Sequence, residues 1–188
     1  MKKSASRKKS TKKIEGRRTP AARKPARPAA ASSDPGVTIH CTLALTGKWS
    51  MVLPTSAIAE ITDYAPPAPL ENTPSWLLGQ LEWQDWQVPV ISYGALIDGD
   101  PPESATAHSR IMVVKSLSST ARVPFIGVMV REIPRLASIS ESEMEVAGDD
   151  GKSLGVHCKV KFSGQDAVIP DLDRLSQLVG HAAYGTDK

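Results

Sequence analysis

The sequence predicts an all-β protein that ends in a short helix and begins with a disordered basic tail. Short runs of alternating apolar and polar residues, separated by turn residues, are typical of β-strands. Two stretches of similar pattern lie about 76 residues apart, one opening at Leu78-Gly79 and the other at Leu154-Gly155. A repeat of this length indicates two similar lobes, each closing a small sheet.

The N-terminal segment is basic, whereas the rest of the chain is acidic. Residues 1–28 carry twelve basic side chains and one acid, a net charge of +11, and the other residues carry 11 basic and 19 acidic side chains, a net charge of −8. Because this segment contains too little apolar surface to offset its ordering entropy, residues 1–35 are expected to be disordered. The tail could bind nucleic acid or an anionic membrane surface weakly. It could also be only a solubilising tether, or be attracted to the acidic remainder of the chain.

The strand pattern begins at Ile39. Four alternate residues define the face expected to point inward: Ile39, Cys41, Leu43 and Leu45. A hairpin turn at Gly47-Lys48 leads into a second strand, on which Trp49, Met51 and Leu53 continue the inward face. Residues 56–62 fit either a helical turn or a twisted strand.

The middle of the chain contains a capping signal and then a hairpin. Thr73 followed by Pro74 predicts a short helix over residues 73–78. A hairpin is expected over residues 81–91, with its turn near Asp85. Asp98–Glu103 is the expected join between lobe one (about 37–98) and lobe two (about 106–180), within a domain spanning 36–182.

The second lobe contains the clearest strand and the only convincing helix. Residues 111–114 and 123–130 are apolar runs, and residues 156–162 alternate regularly. Near the end, four apolar residues form a helical stripe that Asp171 can cap: Leu172, Leu175, Leu178 and Val179.

No cluster of residues predicts a catalytic, cofactor or metal site. The dipeptides His40-Cys41 and His157-Cys158 lie on strands, where neighbouring side chains point to opposite faces, so neither pair converges on a metal. The two cysteines are expected to be buried reduced thiols, with an inter-strand disulfide as the alternative. The acidic segment containing Glu141, Glu143 and Glu145 is expected to be a solvated, loop-like face.

The tryptophans are concentrated near the hairpin turn. Trp76, Trp83 and Trp86 lie within eleven residues, in a chain that is only 5% aromatic. Trp76 has the apolar neighbours of a core residue. Trp83 and Trp86 flank the turn Gln84-Asp85, where two indoles are hard to bury together. An uncovered indole is a typical interface anchor, so residues 83–86 are the candidate partner-binding turn, although at least one indole is expected to pack into the core.

An ordered series of segments resembles the CheW family of chemotaxis coupling proteins. The matching pieces occur in the order of the family and cover roughly residues 37–180. They are Trp49–Pro54 followed by Ala57–Ile61, Pro74–Gly79, Val88–Ile91, Arg110–Val114, Gly127–Ile133, and Gly155–Leu178.

The resemblance implies a fold, a function and partners. The fold would be a pair of five-stranded SH3-like barrels, and the function a non-enzymatic, cytoplasmic adaptor that links chemoreceptors to a CheA-type histidine kinase. Edge strands and end loops would contact the kinase, and a groove between the barrels would help to engage the receptor. No cofactor follows from the family.

One departure from the family pattern lies in the hairpin turn. The family usually carries at this turn an Arg-Gly pair that is important for receptor contact, where this chain has Gln84-Asp85. A cation is thus replaced by a neutral amide and an acid, which changes the sign of the charge the turn attracts. Divergent hairpins of this kind resemble the accessory CheW-like adaptors of chemosensory systems that govern type IV pili and twitching. Trp83, Gln84, Asp85 and Trp86 are therefore the expected contact residues.

Overall fold

A computed structural model describes residues 38–117, 122–148 and 154–185. The predicted disordered tail at residues 1–35 and the predicted domain start at residue 36 lie outside the described residues. In the part of the chain that is described, no helix is both long enough and apolar enough to cross a membrane.

The described residues form eleven strands and two α-helices, which confirms the all-β class with a C-terminal helix. The strands are β1 (Thr38–Thr46), β2 (Trp49–Pro54), β3 (Ile58–Asp63), β4 (Leu77–Trp83), β5 (Trp86–Ile91), β6 (Arg110–Lys115), β7 (Phe125–Val130), β8 (Arg135–Ser140), β9 (Met144–Gly148), β10 (Val156–Phe162) and β11 (Gln165–Pro170). The helices are α1 (Tyr93–Asp98) and α2 (Leu172–Tyr184), and 3₁₀ turns cover Thr55–Ala57 and Glu141–Glu143.

The strands form two sheets that each mix early and late segments of the chain. The six-stranded sheet has the order β8-β1-β2-β11-β10-β9, and the five-stranded sheet has the order β3-β6-β7-β5-β4. Parallel pairing of β2 with β11, and of β5 with β7, joins the two halves of the chain. Each sheet therefore contains strands from both predicted lobes. Neither sheet is built only from residues 37–98 or only from residues 106–180.

β9, an edge strand of the six-stranded sheet, lies in the acidic segment that the sequence predicted to be a loop. In the ladder with β10, Glu145 lies opposite Lys161 and Val146 lies opposite Val160. An opposite-charge pair and an apolar pair both stabilise a sheet, which explains why this acidic segment is a strand. Glu143 and Glu145 are exposed, as a solvated face requires.

The prediction of a helix over residues 73–78 is wrong. The Leu77 amide donates to the Pro74 carbonyl at 3.0 Å in a turn, and the Thr73 hydroxyl donates to the Leu70 carbonyl at 3.1 Å instead of capping a helix. From Leu77 onward the chain pairs with β5, and these ladder bonds override the local helix signal. The segment 56–62, left open between helical turn and strand, contains the end of a 3₁₀ turn and then β3.

β1 packs on both faces, but the predicted inward face is the less buried one, since Leu43 and Leu45 are only half-buried. Cys41 on the predicted inward face is buried, whereas Ile39 on the same face is 52% exposed. Thr42, Ala44 and Thr46 on the opposite face are buried as well. The reason is that apolar clusters lie on both sides of this strand, one containing Cys41 and the other Ala44.

The largest core fills the space between the two sheets and α2. Met51 of β2, Tyr93 of α1 and Leu175 of α2 meet in it. A second cluster lies on the other face of the six-stranded sheet around Val52, and a third lies on the five-stranded sheet around Val88. The third cluster supports the hairpin that carries the candidate site.

The C-terminal helix follows its prediction closely. Leu172, Leu175 and Val179 are buried on one stripe. Asp171 precedes the helix, and its Oδ1 accepts a hydrogen bond from the Arg174 amide at 2.9 Å. This contact satisfies one of the free N–H groups at the helix N-terminus, as a capping side chain does.

Candidate functional site

The predicted partner-facing turn is a two-residue hairpin between β4 and β5, as expected for residues 81–91. Gln84 and Asp85 have φ values of 46° and 65°. Two successive residues with positive φ are the signature of a type I′ turn, whose twist matches that of the flanking strands. Trp83 and Trp86 face each other across the ladder. Because glutamine rarely adopts the left-handed conformation, neighbouring contacts must help to hold Gln84 in it.

Glu60 provides those contacts. The Trp83 Nε1 donates a hydrogen bond of 2.7 Å to Glu60 Oε2, and the Gln84 Nε2 donates one of 3.2 Å to the same oxygen. A single carboxylate thus orients one of the flanking indoles and one of the turn side chains. Glu60 lies in the segment 56–62, and no local signal in the sequence indicated that it would reach the hairpin.

Trp83 is partly a structural residue. Its ring is half-buried and packs against the cluster around Val88. The expectation that at least one of the indoles packs into the core is therefore confirmed. Trp76 is also half-buried, against the main core.

Trp86 remains on the surface. It is 49% exposed, so about half of the indole is accessible to another molecule. Phe125 at the start of β7 contacts both tryptophans edge-on, with ring centroids 5.0 Å from Trp83 and 5.5 Å from Trp86. Phe125 was not among the predicted site residues, because it joins the hairpin only through the pairing of β7 with β5. The result is a cluster of three aromatic rings whose outermost member is Trp86.

A second surface feature is a cleft between the two sheets, which we call the inter-sheet cleft. It has a volume of about 550 Å³. Leu53 and Ile169 line it from the six-stranded sheet, Lys115 and Leu117 line it from the end of β6, and Asp173 lines it from α2. Leu117 is largely exposed and offers apolar surface at this cleft.

The two His-Cys pairs lie as strand geometry predicts. His40 is exposed and Cys41 is buried, while His157 is exposed and Cys158 is half-buried. No disulfide joins Cys41 to Cys158, and burial raises the pKa of the Cys41 thiol. Across residues 38–117, 122–148 and 154–185, no group of three or more His, Cys, Asp or Glu side chains is arranged to hold a metal ion.

Comparisons with known proteins agree with this architecture. The solved structure of the scaffolding protein TtCheW from Thermoanaerobacter tengcongensis is similar to this chain, with a TM-score of 0.63. The match covers 81% of this chain and 98% of that chain, at 16% sequence identity. At this identity the similarity establishes the fold. No curated protein sequence matches the chain.

A protein-family model supplies the assignment. The model of the CheW-like domain matches residues 41–179, which is well over half of the 188 residues. The match includes both sheets, the hairpin at Gln84-Asp85 and most of α2. The chain therefore belongs to the family of proteins with a CheW-like domain, the coupling and scaffold domain of chemotaxis signalling.

Proposed function

We propose that this protein is a non-enzymatic adaptor that links chemoreceptors to a CheA-type histidine kinase in the cytoplasm, where receptor arrays recruit it. The observation that carries the proposal is the CheW-like domain over residues 41–179. Two surfaces also support it: the inter-sheet cleft, and the hairpin turn at residues 83–86, which we call the aromatic hairpin. A protein that joins two partners needs two separate surfaces. An adaptor of this kind requires neither a reaction nor a cofactor.

The aromatic hairpin is the proposed partner contact, for the kinase or the receptor, and the kinase is the partner to test first. Trp86 combines 49% exposure with support from Phe125 beneath it. A tryptophan that is held in place yet accessible loses little side-chain entropy when a partner covers it, which is why such residues dominate many interfaces. Trp83 supports this contact from below, since Glu60 and the cluster around Val88 already hold its indole.

Calorimetric titration of the full-length protein with the regulatory domain of the CheA-type kinase from the same organism tests this contact. Trp86→Ala is expected to weaken binding about ten-fold or more, as truncation of an anchoring tryptophan does. Ile39→Ala is the matched control, because Ile39 is an exposed apolar residue on β1, an interior strand of the other sheet. Absence of binding by the wild-type protein contradicts the kinase contact, and equal losses in both variants contradict its assignment to the hairpin.

The inter-sheet cleft is the proposed contact for the cytoplasmic tip of a receptor. Its apolar lining and the exposed Leu117 give it a surface that a receptor helix can cover. Leu117→Asp should therefore reduce co-sedimentation of the protein with receptor-containing membranes. Val146→Asp on β9 introduces the same charge at another exposed apolar position and should leave co-sedimentation unchanged.

We further propose that the system served controls type IV pili and twitching motility. The support is the turn, where Gln84-Asp85 replaces the Arg-Gly of ordinary coupling proteins and so changes the charge presented to partners. Deleting the gene should abolish twitching on agar while leaving any swimming chemotaxis intact. Loss of swimming chemotaxis with normal twitching is the result that would contradict this assignment.

A second candidate function rests on the charge of the N-terminal segment. Residues 1–28 carry a net charge of +11, which favours weak binding to nucleic acid or to an anionic membrane. Such binding should fall steeply between about 50 and 200 mM salt because counterions are released. It should also disappear when residues 1–35 are deleted, while kinase binding stays the same. Titration of labelled DNA and of anionic vesicles at both salt concentrations distinguishes the two polyanions.

A further inference from the structure

The hairpin end of the five-stranded sheet combines accessible aromatic surface with negative charge. We call the surface formed by Glu60, Trp83, Asp85, Trp86 and Phe125 the hairpin surface. Glu60 and Asp85 are exposed, and Trp86 is 49% exposed. The surface thus presents two carboxylates around a supported indole.

The negative charge of Glu60 is not neutralised by its hydrogen bonds. Both of its partners, the indole N–H of Trp83 and the side-chain amide of Gln84, are neutral donors. They orient the carboxylate and leave its full charge in place. An arginine in the turn would have neutralised this carboxylate, whereas Gln84 cannot.

Within the part of the chain that the structure describes, the second carboxylate is likewise without a cation. Among the described residues, the ion pairs join Lys48 to Asp98, Arg110 to Asp63, Arg131 to Glu103 and Arg135 to Glu132. None of these pairs includes Glu60 or Asp85. Asp85 also forms no hydrogen bond to another side chain within the part of the chain that the structure describes.

The chain stacks its own cations on other aromatic rings. Lys48 and Lys159 lie over Trp49, and Arg122 lies over Tyr184. Within residues 38–117, 122–148 and 154–185, no lysine or arginine lies over Trp83, Trp86 or Phe125. The exposed half of the Trp86 indole therefore carries no cation from the described residues.

We propose that the hairpin surface receives an arginine or lysine side chain from a basic segment of a protein partner. The cation would lie against Trp86 and pair with Glu60 and Asp85. Aromatic rings attract cations through their electron-rich faces, and nearby carboxylates add to that attraction. That the partner is a signalling protein rests on the proposed adaptor function. The preference for a cation does not, because it follows from the side chains of the hairpin surface.

The cation preference can be tested without the kinase. The probe is an acetylated and amidated hexapeptide with two arginines, and its reference is the same peptide with citrulline, a neutral residue of similar shape. Nuclear magnetic resonance of the full-length, isotope-labelled protein reports binding through the indole N–H signal of Trp86. We expect a saturable shift with the arginine peptide and at least about five-fold weaker binding of the citrulline peptide.

Two variants on the same hairpin provide a matched comparison. Asp85→Asn removes one charge and keeps a residue that tolerates the left-handed conformation, so the turn should fold normally. Glu82 lies opposite Gln87 in the ladder, one position from Trp83, so it points away from the aromatic cluster. Asp85→Asn should weaken binding of the arginine peptide about two- to five-fold, and Glu82→Gln should leave it unchanged.

Three results would overturn the proposal. The first is equal affinity for the arginine and citrulline peptides, and the second is an equal loss in Asp85→Asn and Glu82→Gln. The third is a Trp86 shift that depends on protein concentration alone, since a second copy of this chain would then occupy the surface. Failure of the kinase titration with a preserved arginine preference would contradict the adaptor function and leave the cation site standing.

Discussion

The indole Nε1 of Trp83 donates a 2.7 Å hydrogen bond to Oε2 of Glu60. Trp83 lies on β4 and Glu60 lies on β3, and these are the two edge strands of the five-stranded sheet. The bond therefore connects the opposite edges of a sheet that curls onto itself. It also places a carboxylate beside the turn that carries the candidate partner contact.

Replacing Glu60 by alanine should destabilise this closure. Glu60→Ala removes the acceptor of both the Trp83 indole and the Gln84 amide. Because the Glu60 carboxylate is exposed, the expected loss is only about 1 kcal/mol of the free energy of unfolding. Urea denaturation followed by tryptophan fluorescence measures it. Glu82→Ala removes an exposed acid from the outer face of the same hairpin and should change stability by less than about 0.5 kcal/mol. Equal effects of the two variants would show that the bond across the sheet edges contributes nothing specific.

Gly79 should not tolerate a side chain. Its φ is 136°, and a Cβ there would lie 2.2 Å from the Ala68 carbonyl oxygen. The close approach exists because Ala68 and Gln80 exchange two backbone hydrogen bonds of 2.8 Å. Gly79→Ala is expected to lower the free energy of unfolding by at least about 2 kcal/mol in thermal or urea denaturation.

Gly99 is the reference position for that experiment. It also has a positive φ, 72°, but a Cβ there would meet nothing within 4 Å. Gly99→Ala should therefore lower the free energy of unfolding by only about 1 kcal/mol, because alanine disfavours a positive φ. If Gly79→Ala were no more destabilising than Gly99→Ala, the close contact with the Ala68 carbonyl would not exist in solution.

Stability should fall at alkaline pH because of Tyr93. Its hydroxyl is buried and donates to the Gly155 carbonyl at 2.9 Å. Burial, with a smaller effect from the charge of Asp171, raises the pKa of Tyr93 above its ordinary value of 10.0. The folded protein keeps this proton while the unfolded chain releases it near pH 10. The stabilisation is therefore complete below pH 10 and is lost above it, by up to about 1.4 kcal/mol per pH unit.

Tyr93→Phe isolates this effect. At neutral pH the variant should lose about 1 kcal/mol of unfolding free energy, since the Gly155 carbonyl still accepts a 3.0 Å bond from the Asp171 amide. Above pH 10 its stability should fall less steeply than that of the wild-type protein in urea denaturation. Tyr184→Phe, at an exposed tyrosine, should retain the wild-type slope. Parallel pH profiles of the wild-type protein and Tyr93→Phe would refute a buried, protonated Tyr93.

Asp98 should stabilise the junction between α1 and the six-stranded sheet. Both of its carboxylate oxygens accept from the Trp49 Nε1 at 3.1 Å, and Lys48 Nζ lies 3.1 Å from Oδ1. Asp98→Ala leaves a half-buried indole N–H without its acceptor, so we expect a loss of about 1–3 kcal/mol in denaturant unfolding. Asp100→Ala, two residues further along and exposed, should stay within about 0.5 kcal/mol of the wild-type protein. If Asp98→Ala lowered the free energy of unfolding no more than Asp100→Ala, the hydrogen bond to Trp49 would be contradicted.

Local patterns were sufficient for elements whose signal lies within one segment. The alternation of residues 156–162 predicted β10, and the apolar stripe after Asp171 predicted α2 with its cap. The polar pair Gln84-Asp85 marked the hairpin turn, and the exposed Trp86 was already a candidate. Each of these features depends on residues that are close together in the sequence, so it can be predicted from one sequence alone.

The remaining features depend on residues that are distant in the chain. β2 pairs in parallel with β11, and no local pattern indicates that partner. Glu60 and Phe125 reach the hairpin only because the five-stranded sheet curls and β7 lies beside β5. Similarly, β9 is a strand because β10 pairs with it, although its own residues indicate a loop.

The most direct test of the central claim is whether the protein bridges a receptor and a kinase. The measurement is the amount of CheA-type kinase that sediments with receptor-containing membranes, with and without the full-length protein. We predict that the protein raises the sedimented kinase several-fold, and that Trp86→Ala lowers it while the variant itself still sediments with the membranes. Kinase sedimentation that is the same with and without the protein would contradict the adaptor function.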